Sequence, residues 1–393
     1  MIGREASDGG SALAPEGELL LGVDSESAGF SLLAGLNFLT DDSKEPGRVM
    51  AALAELNTSH GFAFAGPHAP ANCSREGTLL VGFTARFFKG EASSSRDTGS
   101  RSTRFGLEIA VPRCLKVPQI RGDSISTGRS ALDAAREDEA DLILLLEADR
   151  EASCENWLRS LAMLPQTELR FTIASCSFRS GANALGYKEG LSNLQDVRRQ
   201  DPERYRSYLL AGAGEDPLHQ GGTYLVVRQY GYDLQRWSEQ APGKRDIIVG
   251  RSVSGQFVDS AGEEIPPSTP EAELASRIAA CSHIRQVNPR GFARTQFGDA
   301  VRPPDVRILR RSSEIWQDGT PTGILFACFQ SNIQHRGFEY INNNWIMASG
   351  FNSGRDLLLD PSNGFLRPGR TCYSFVPPSR SIPGDSFLSL PSR

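Results

Sequence analysis

Apolar residues recur at helical spacing from Arg48, where Val49, Ala52, Leu53 and Leu56 fall on one face, so a helix is expected there. Residues 78–88 (TLLVGFTARFF) follow turn-forming residues and read as a strand. A short helix is expected over 130–139. Behind it, residues 141–147 are too continuously apolar for an edge strand, which places them centrally in a sheet. A helix over 154–163 and a strand over 169–174 complete a strand, helix, strand, helix, strand order in the first half. A similar order begins again after residue 220: strand 222–229, helix 234–237, strand 323–330 and helix 338–345. Two α+β halves, each an antiparallel sheet with helices on one face, account for this pattern economically, although the halves share no quotable sequence repeat. Residues 1–16 and 91–104 (EASSSRDTGSRSTR) lack periodicity and read as a loose tail and a solvated loop.

Composition narrows the possibilities. A chain of 393 residues exceeds what one hydrophobic core usually serves, so two domains are expected. The 42 Lys and Arg against 47 Asp and Glu give a net charge of −5 with no sustained basic run, so nucleic acid is not an expected partner. The longest apolar run, 142–146, is strand-sized, so no membrane span is expected. The start, Met1-Ile2-Gly3-Arg4-Glu5, has neither a basic region before an apolar core nor a twin-arginine pair, and a cytoplasmic location is expected. The seven cysteines are odd in number, dispersed and never spaced C-x-x-C, which favours reduced structural thiols over disulfides or a zinc site.

No G-x-S-x-G, P-loop or H-E-x-x-H motif is present, which removes most hydrolase and kinase readings. Of the five histidines, at 60, 68, 219, 283 and 335, His283 stands out. It is expected at the end of a helix over 272–280 and opens the segment 283–290 (HIRQVNPR), which Pro289 keeps from continuing as a helix. By itself such a histidine is more often satisfied structural polarity than a ligand. The segment Gly186-Tyr187-Lys188-Glu189-Gly190 is either a plain turn or a loop that presents a carboxylate.

Taken in order, these segments resemble the dye-decolorizing peroxidase family, heme enzymes that share a duplicated ferredoxin-like fold with chlorite dismutases. Residues 180–193 (SGANALGYKEGLSN) are similar to the family's N-x-x-G-F-x-D-G-x-x-N block, and 221–228 with Trp237 to the next strand and helix. Residues 281–290 (CSHIRQVNPR) resemble its proximal-histidine block and 307–311 (RILRR) its distal-arginine block; 323–330 with 338–341 resemble its closing strand and helix. The resemblance covers about 79–379. It implies two ferredoxin-like domains, 17–195 ending in the distal loop and 196–393 binding one heme b per chain. His283 would be the axial iron ligand, Glu189 the distal acid/base, and Arg310 the stabiliser of charge during O–O cleavage, with Arg311 as the alternative register. Gly186 and Gly190 would let the loop approach the porphyrin. Arg290 would help counter the propionates, Ile324 and Phe326 would line the cofactor, and Glu339 would accept from the second ring nitrogen of His283. The implied reaction reduces hydrogen peroxide to water and oxidises a small aromatic donor by one-electron steps through a ferryl intermediate.

Three departures qualify the resemblance. Glu189 stands where the pattern has Asp, one methylene longer. Ser312-Ser313-Glu314-Ile315-Trp316 stands where many members continue Gly-x-Pro-Tyr-Gly. An I-Q-G-N type segment is not recognisable near the N-terminus. The alternatives to a peroxidase are accordingly a heme-binding or heme-handling protein of the same fold with little peroxide activity, and a heme-free scaffold that keeps the fold alone.

Overall fold

The computed structural model of the chain describes residues 29–39, 45–60, 62–65, 77–89, 101–102, 109–110, 113–115, 140–178, 181–189, 194–212, 214–215, 219–289, 293–294, 300–301, 306–348 and 354–378. The expected tail 1–16, the helix 130–139, Gly190, Arg290 and all of the polar segment except Arg101 and Ser102 lie outside these residues.

Where apolar residues run continuously or alternate, the chain forms strands of a single sheet. They are β1 (Phe30–Phe38), β2 (Phe62–Ala65), β3 (Gly77–Thr84), β4 (Leu142–Ala148), β5 (Thr167–Cys176), β6 (Thr223–Tyr232), β7 (Leu309–Gln317), β8 (Thr320–Gln330) and β9 (Leu366–Val376). Their order is β9-β6-β8-β7-β5-β1-β4-β3-β2. The first four antiparallel strands by chain position, β1, β3, β4 and β5, lie in the spatial order fourth, first, third, second, and so do β6, β7, β8 and β9. Each half is therefore a ferredoxin-like sheet, and the duplication expected from the hydrophobic pattern is present in the topology. β4, paired with β1 on one side and β3 on the other, is central, as its unbroken apolar run requires. β2 adds to the edge as a parallel neighbour of β3.

The halves are not two separate sheets. β7 meets β5 at the pair Glu314–Cys176, and β9 meets β3 at Ser374–Thr84 and Phe375–Phe83, so eight strands close into a ring. The second seam is tight: a Cβ on Gly82 would lie 2.2 Å from Ser374 Oγ. Inside the ring, Leu33, Leu80, Ile143, Leu225, Leu325 and Phe329 form one core, joined by Tyr205, Tyr208 and Leu209 of a helix over Pro202–Leu209. Outside, helices α1 (Glu45–His60) and α2 (Glu151–Leu161) bury Val49, Leu53, Trp157 and Leu161 on the first sheet.

Several elements differ from their expected limits. The strand expected over 78–88 stops at Thr84, whose backbone N–H and hydroxyl bond to the Asp141 and Ala140 carbonyls, and Ala85–Lys89 is helical. That turn brings Phe87 within 4.8 Å of Phe83 and 5.3 Å of Phe88, so the aromatic residues pack as a cluster where a continued strand would separate them. His283 does not end the preceding helix, which covers Glu271–Arg277. It is the first residue of a short helix of its own, α5 (His283–Val287), after α3 (Leu234–Ser238) and α4 (Pro242–Val249). The helix expected over 338–345 starts as α-helix at Phe338–Tyr340 and widens to a π-helix over Ile341–Ile346.

Candidate active site

The loop 181–189 folds back on itself. Ala182 and Lys188 form an antiparallel bridge, the Glu189 N–H donates to the Gly181 carbonyl at 3.0 Å, and the Gly186 N–H donates to the Asn183 carbonyl at 2.8 Å. Gly186 holds φ +92°, a left-handed conformation that side-chain-bearing residues disfavour. The Asn183 side chain organises the turn: its Oδ1 accepts from the Leu185 and Tyr187 N–H groups, and its Nδ2 donates to Glu189 Oε1 at 2.7 Å. Side chains of α3 and α4 help tie the loop to the second half. Trp237 Nε1 on α3 donates to the Leu185 carbonyl at 3.0 Å, and the Tyr187 hydroxyl donates to Asp246 on α4 at 2.6 Å. Burial, and then the Asp246 carboxylate, push the Tyr187 hydroxyl above the ordinary phenol range.

Strand β7 presents the partner of Glu189. Period-two alternation sends Arg310, Ser312 and Glu314 to the outer face and Leu309, Arg311, Ser313 and Ile315 into the ring. Arg310 Nη1 lies 4.0 Å from Glu189 Oε2, so a guanidinium and a carboxylate from opposite halves of the chain meet, and both keep partial exposure. Arg311 is not brought there. Its guanidinium bonds Glu147 Oε2 at 2.9 Å inside the ring, where burial raises the Glu147 carboxyl and Arg311 opposes that rise. Alternation thus decides the register of the tandem arginines, which the sequence leaves open.

The third group is His283. Ser282, fully buried, precedes it; Gln286 of the same helix donates to the Gly354 and Ala280 carbonyls, and the Leu357 N–H donates to the Cys281 carbonyl. These bonds lay the segment 354–359 along α5. Asp356, 0% exposed, is thereby placed with Oδ2 at 2.8 Å from His283 Nδ1, while its Oδ1 accepts from the Leu358 and Leu359 N–H groups. A buried carboxylate with three such contacts keeps the ring proton on Nδ1 and leaves the Nε2 lone pair available. This corrects the expectation for Glu339: it is buried within Phe338–Tyr340, with its backbone on the Ile333 carbonyl, and the acceptor for the imidazole is Asp356. Ile324 and Phe326 lie on the outer face of β8. They share an apolar cluster with Leu185 and Tyr187 of the loop, Trp237 of α3 and Ile284 of α5, so the loop, the strand and the His283 helix enclose one region.

The donor set limits what can bind. Among the described residues no group of three or more His, Cys, Asp or Glu side chains could hold a metal ion. A metal bound through His283 would therefore have to bring most of its ligands with it, as a macrocycle does. The six described cysteines are free, and burial raises the Cys281 thiol beside this site.

The family model described as Dyp-type peroxidase, C-terminal, matches residues 181–381, just over half of the chain and a span that holds the loop, β7, α5 and Asp356. The chain belongs to the Dyp-type peroxidase family. Among solved structures, this Dyp-type chain is similar in fold to a Rhodococcus jostii RHA1 DypB variant in complex with heme (TM-score 0.59, 16% identity, covering 91% of this chain and 96% of that one). It is also similar to a dye-decolorizing protein from V. cholerae (TM-score 0.55, 16% identity, 90% and 95%) and to a Dyp-type peroxidase protein from Shewanella oneidensis (TM-score 0.55, 18% identity, 90% and 94%). Curated relatives named Deferrochelatase, from Yersinia pestis and Yersinia pseudotuberculosis, are 28% identical over 152 residues, 38% of this chain and 34% of theirs. The match thus spans about a third of the length of these curated relatives. No described helix is long and apolar enough to cross a membrane.

Asp356, Asn183, Asp246 and Glu314 escaped the sequence reading. Asn183 opens the loop block and carried a signal there. Asp356 carried none: Arg355-Asp356-Leu357 has no spacing that points at His283, 73 residues away.

Proposed function

We propose that this Dyp-type chain binds one heme b through His283 and uses it to reduce hydrogen peroxide at the expense of a small aromatic donor. The observation that carries the reading is the His283–Asp356 pair, an imidazole with one nitrogen engaged by a buried carboxylate and the other left for a metal. Ile324 and Phe326 supply apolar surface for the macrocycle, and Arg310 and Arg290 are the cations assigned to its charged edge and to the reaction. When bound through His283, the heme would supply the redox chemistry that couples peroxide reduction to one-electron oxidation of the donor.

The chain's own residues handle the protons and the charge. Asp356 fixes the tautomer and strengthens Nε2 as an electron donor. Glu189, steadied by Asn183, accepts the proton of a peroxide bound beside it, which requires the carboxylate to be ionised, so acidification should slow this step. Arg310 stabilises the negative charge that grows on the departing hydroxide. The extra methylene of Glu189 is accommodated by the Asn183 bond, which holds Oε1 back toward the loop while Oε2 faces Arg310. The division 17–195 and 196–393 then assigns the acid/base to one half and the iron ligand to the other.

A second reading, a heme-handling protein with little peroxide activity, is supported by the name of the curated relatives. Two measurements separate the outcomes. The purified full chain, reconstituted with heme, should show an imidazole-ligated ferric spectrum that changes on adding peroxide; release of iron from the heme without that change would favour the second reading. His283→Ala should abolish stable heme retention while leaving the unfolding transition in place. An unchanged ferric spectrum in that variant would end the assignment of His283.

A further inference from the structure

The 181–189 loop is fastened at its tip as well as at Glu189, and the fastening is a carboxylate. Glu314 is 3% exposed; its Oε1 accepts the Ala184 backbone N–H at 2.7 Å and the Tyr232 hydroxyl at 3.1 Å. Burying a carboxylate is costly unless it is hydrogen-bonded, and bonds to its charge are stronger than neutral ones, so Ala184 is pinned firmly. The residue before Ala184 is Asn183, whose Nδ2 donates to Glu189 Oε1 at 2.7 Å. Glu189 Oε2 in turn lies 4.0 Å from Arg310. The contacts form a closed circuit that leaves β7 at Glu314, crosses the loop and returns to the same face of β7 at Arg310. The circuit uses two positions at which this chain departs from the pattern it resembles: Glu314, beyond the tandem arginines, and the longer Glu189.

We propose that Glu314 is a positioning residue for Glu189: by pinning Ala184 it sets where the Glu189 carboxylate sits relative to Arg310. Without that anchor Leu185 and Tyr187 stay tied to Trp237 and Asp246, but the Asn183–Ala184 side of the loop can shift against β7, and the additional methylene lets the carboxylate leave the peroxide. This role rests on the peroxidase reading of the site. Tyr232, whose hydroxyl is raised first by burial and then by Glu314, with Glu189 adding to the effect, supplies the second donor.

The test uses the heme-loaded full chain. Glu314→Leu removes the acceptor at similar size, whereas Glu314→Gln keeps an oxygen able to accept both donors. Glu314→Leu should slow the absorbance change on mixing with peroxide by about 10- to 10²-fold, as expected of a group displaced by about 1 Å. It should also flatten the acid side of the pH profile, leave heme content unchanged and speed hydrogen exchange at the Ala184 amide. Glu314→Gln should restore the rate, the profile and the exchange protection. Glu314→Asp, which withdraws the acceptor by one methylene, should show the same changes at smaller size and keeps the test open if Glu314→Leu does not fold. A wild-type rate and profile in Glu314→Leu or Glu314→Asp, or a loss in Glu314→Gln as large as in Glu314→Leu, would overturn the proposal. Glu189→Gln, measured alongside, separates the two levels. If it is slow while the Glu314 variants are normal, only the positioning role falls. If it reacts like the wild type, the assignment of Glu189 falls and takes the positioning role with it.

Discussion

The two sheets share one strand order, yet their outer faces have been put to opposite uses. On the first, helices of 16 and 11 residues lie over Leu32, Leu36, Leu142 and Leu144 and close the face with side chains such as Leu53 and Trp157, both 0% exposed. On the second, the described helices between β6 and β7 have only 5, 8, 7 and 5 residues, and three of them carry Trp237, Asp246 and His283 to the rim of the sheet. The outer face of β7 is where Arg310 meets Glu189 and where Glu314 holds the loop. The difference shows how a duplicated fold separates its tasks: long amphipathic helices make one copy a core, and replacing them with short helices and tied loops leaves polar side chains of the other within reach of a ligand.

The sharpest way to break the comparison is to empty the sealed face. Trp157→Ala removes a fully buried ring together with its Nε1 bond to Asn57 at 3.0 Å, and should cost about 3–5 kcal/mol in chemical denaturation. The open face should respond differently. Arg310→Leu should slow the peroxide reaction by about 10²- to 10³-fold with little change in stability. Arg311→Leu, one residue along but facing the ring, should instead lower the unfolding free energy by on the order of 1–3 kcal/mol by stranding Glu147, and should leave the peroxide step nearly unaltered. Stopped-flow absorbance and urea titration on both variants decide this, and a slower peroxide step in Arg311→Leu would reverse the assignment of faces.

Asp356→Asn should weaken heme retention by about 10- to 100-fold, since it takes the charge from the imidazole's partner while nearly preserving its shape. Transfer of heme to an apo-globin acceptor would measure it. The smallest expected effect is a pH dependence seated at the sealed side, where burial raises Cys114 from 9.0 to about 11 and Cys154 from 9.0 to about 12. Thiols whose folded values are raised contribute stability that is fully present below about pH 9 and is lost as the pH climbs through 11 to 12. Urea midpoints should therefore hold level to pH 9 and fall above it, and Cys114→Ala with Cys154→Ala should flatten the fall. A midpoint that rises above pH 9 would contradict the burial of these thiols.

Much of this molecule is legible in the chain because hydrophobic periodicity is a local property. The run 142–146 announces a central strand, the spacing of Val49 and Leu53 announces α1, and the recurrence after residue 220 announces the second copy, since each element must bury its own apolar face. The loop block with Glu189, the segment of His283 and the tandem arginines are legible as motifs for the same reason: each lies within about a dozen residues. Sequence alone leaves open which arginine meets Glu189, which carboxylate holds the imidazole and how the halves join. Each of these depends on residues far apart in the chain: Asp356 with His283, separated by 73 positions, Arg311 with Glu147, separated by 164, and Ala184 with Glu314, separated by 130. Such pairs are formed when the sheets close on each other and the strand register sends alternate side chains to opposite faces. The chain by itself therefore determined the elements and the kinds of chemical groups available, and tertiary structure decided which of those groups meet, because meeting depends on register and closure, to which no local pattern contributes a signal.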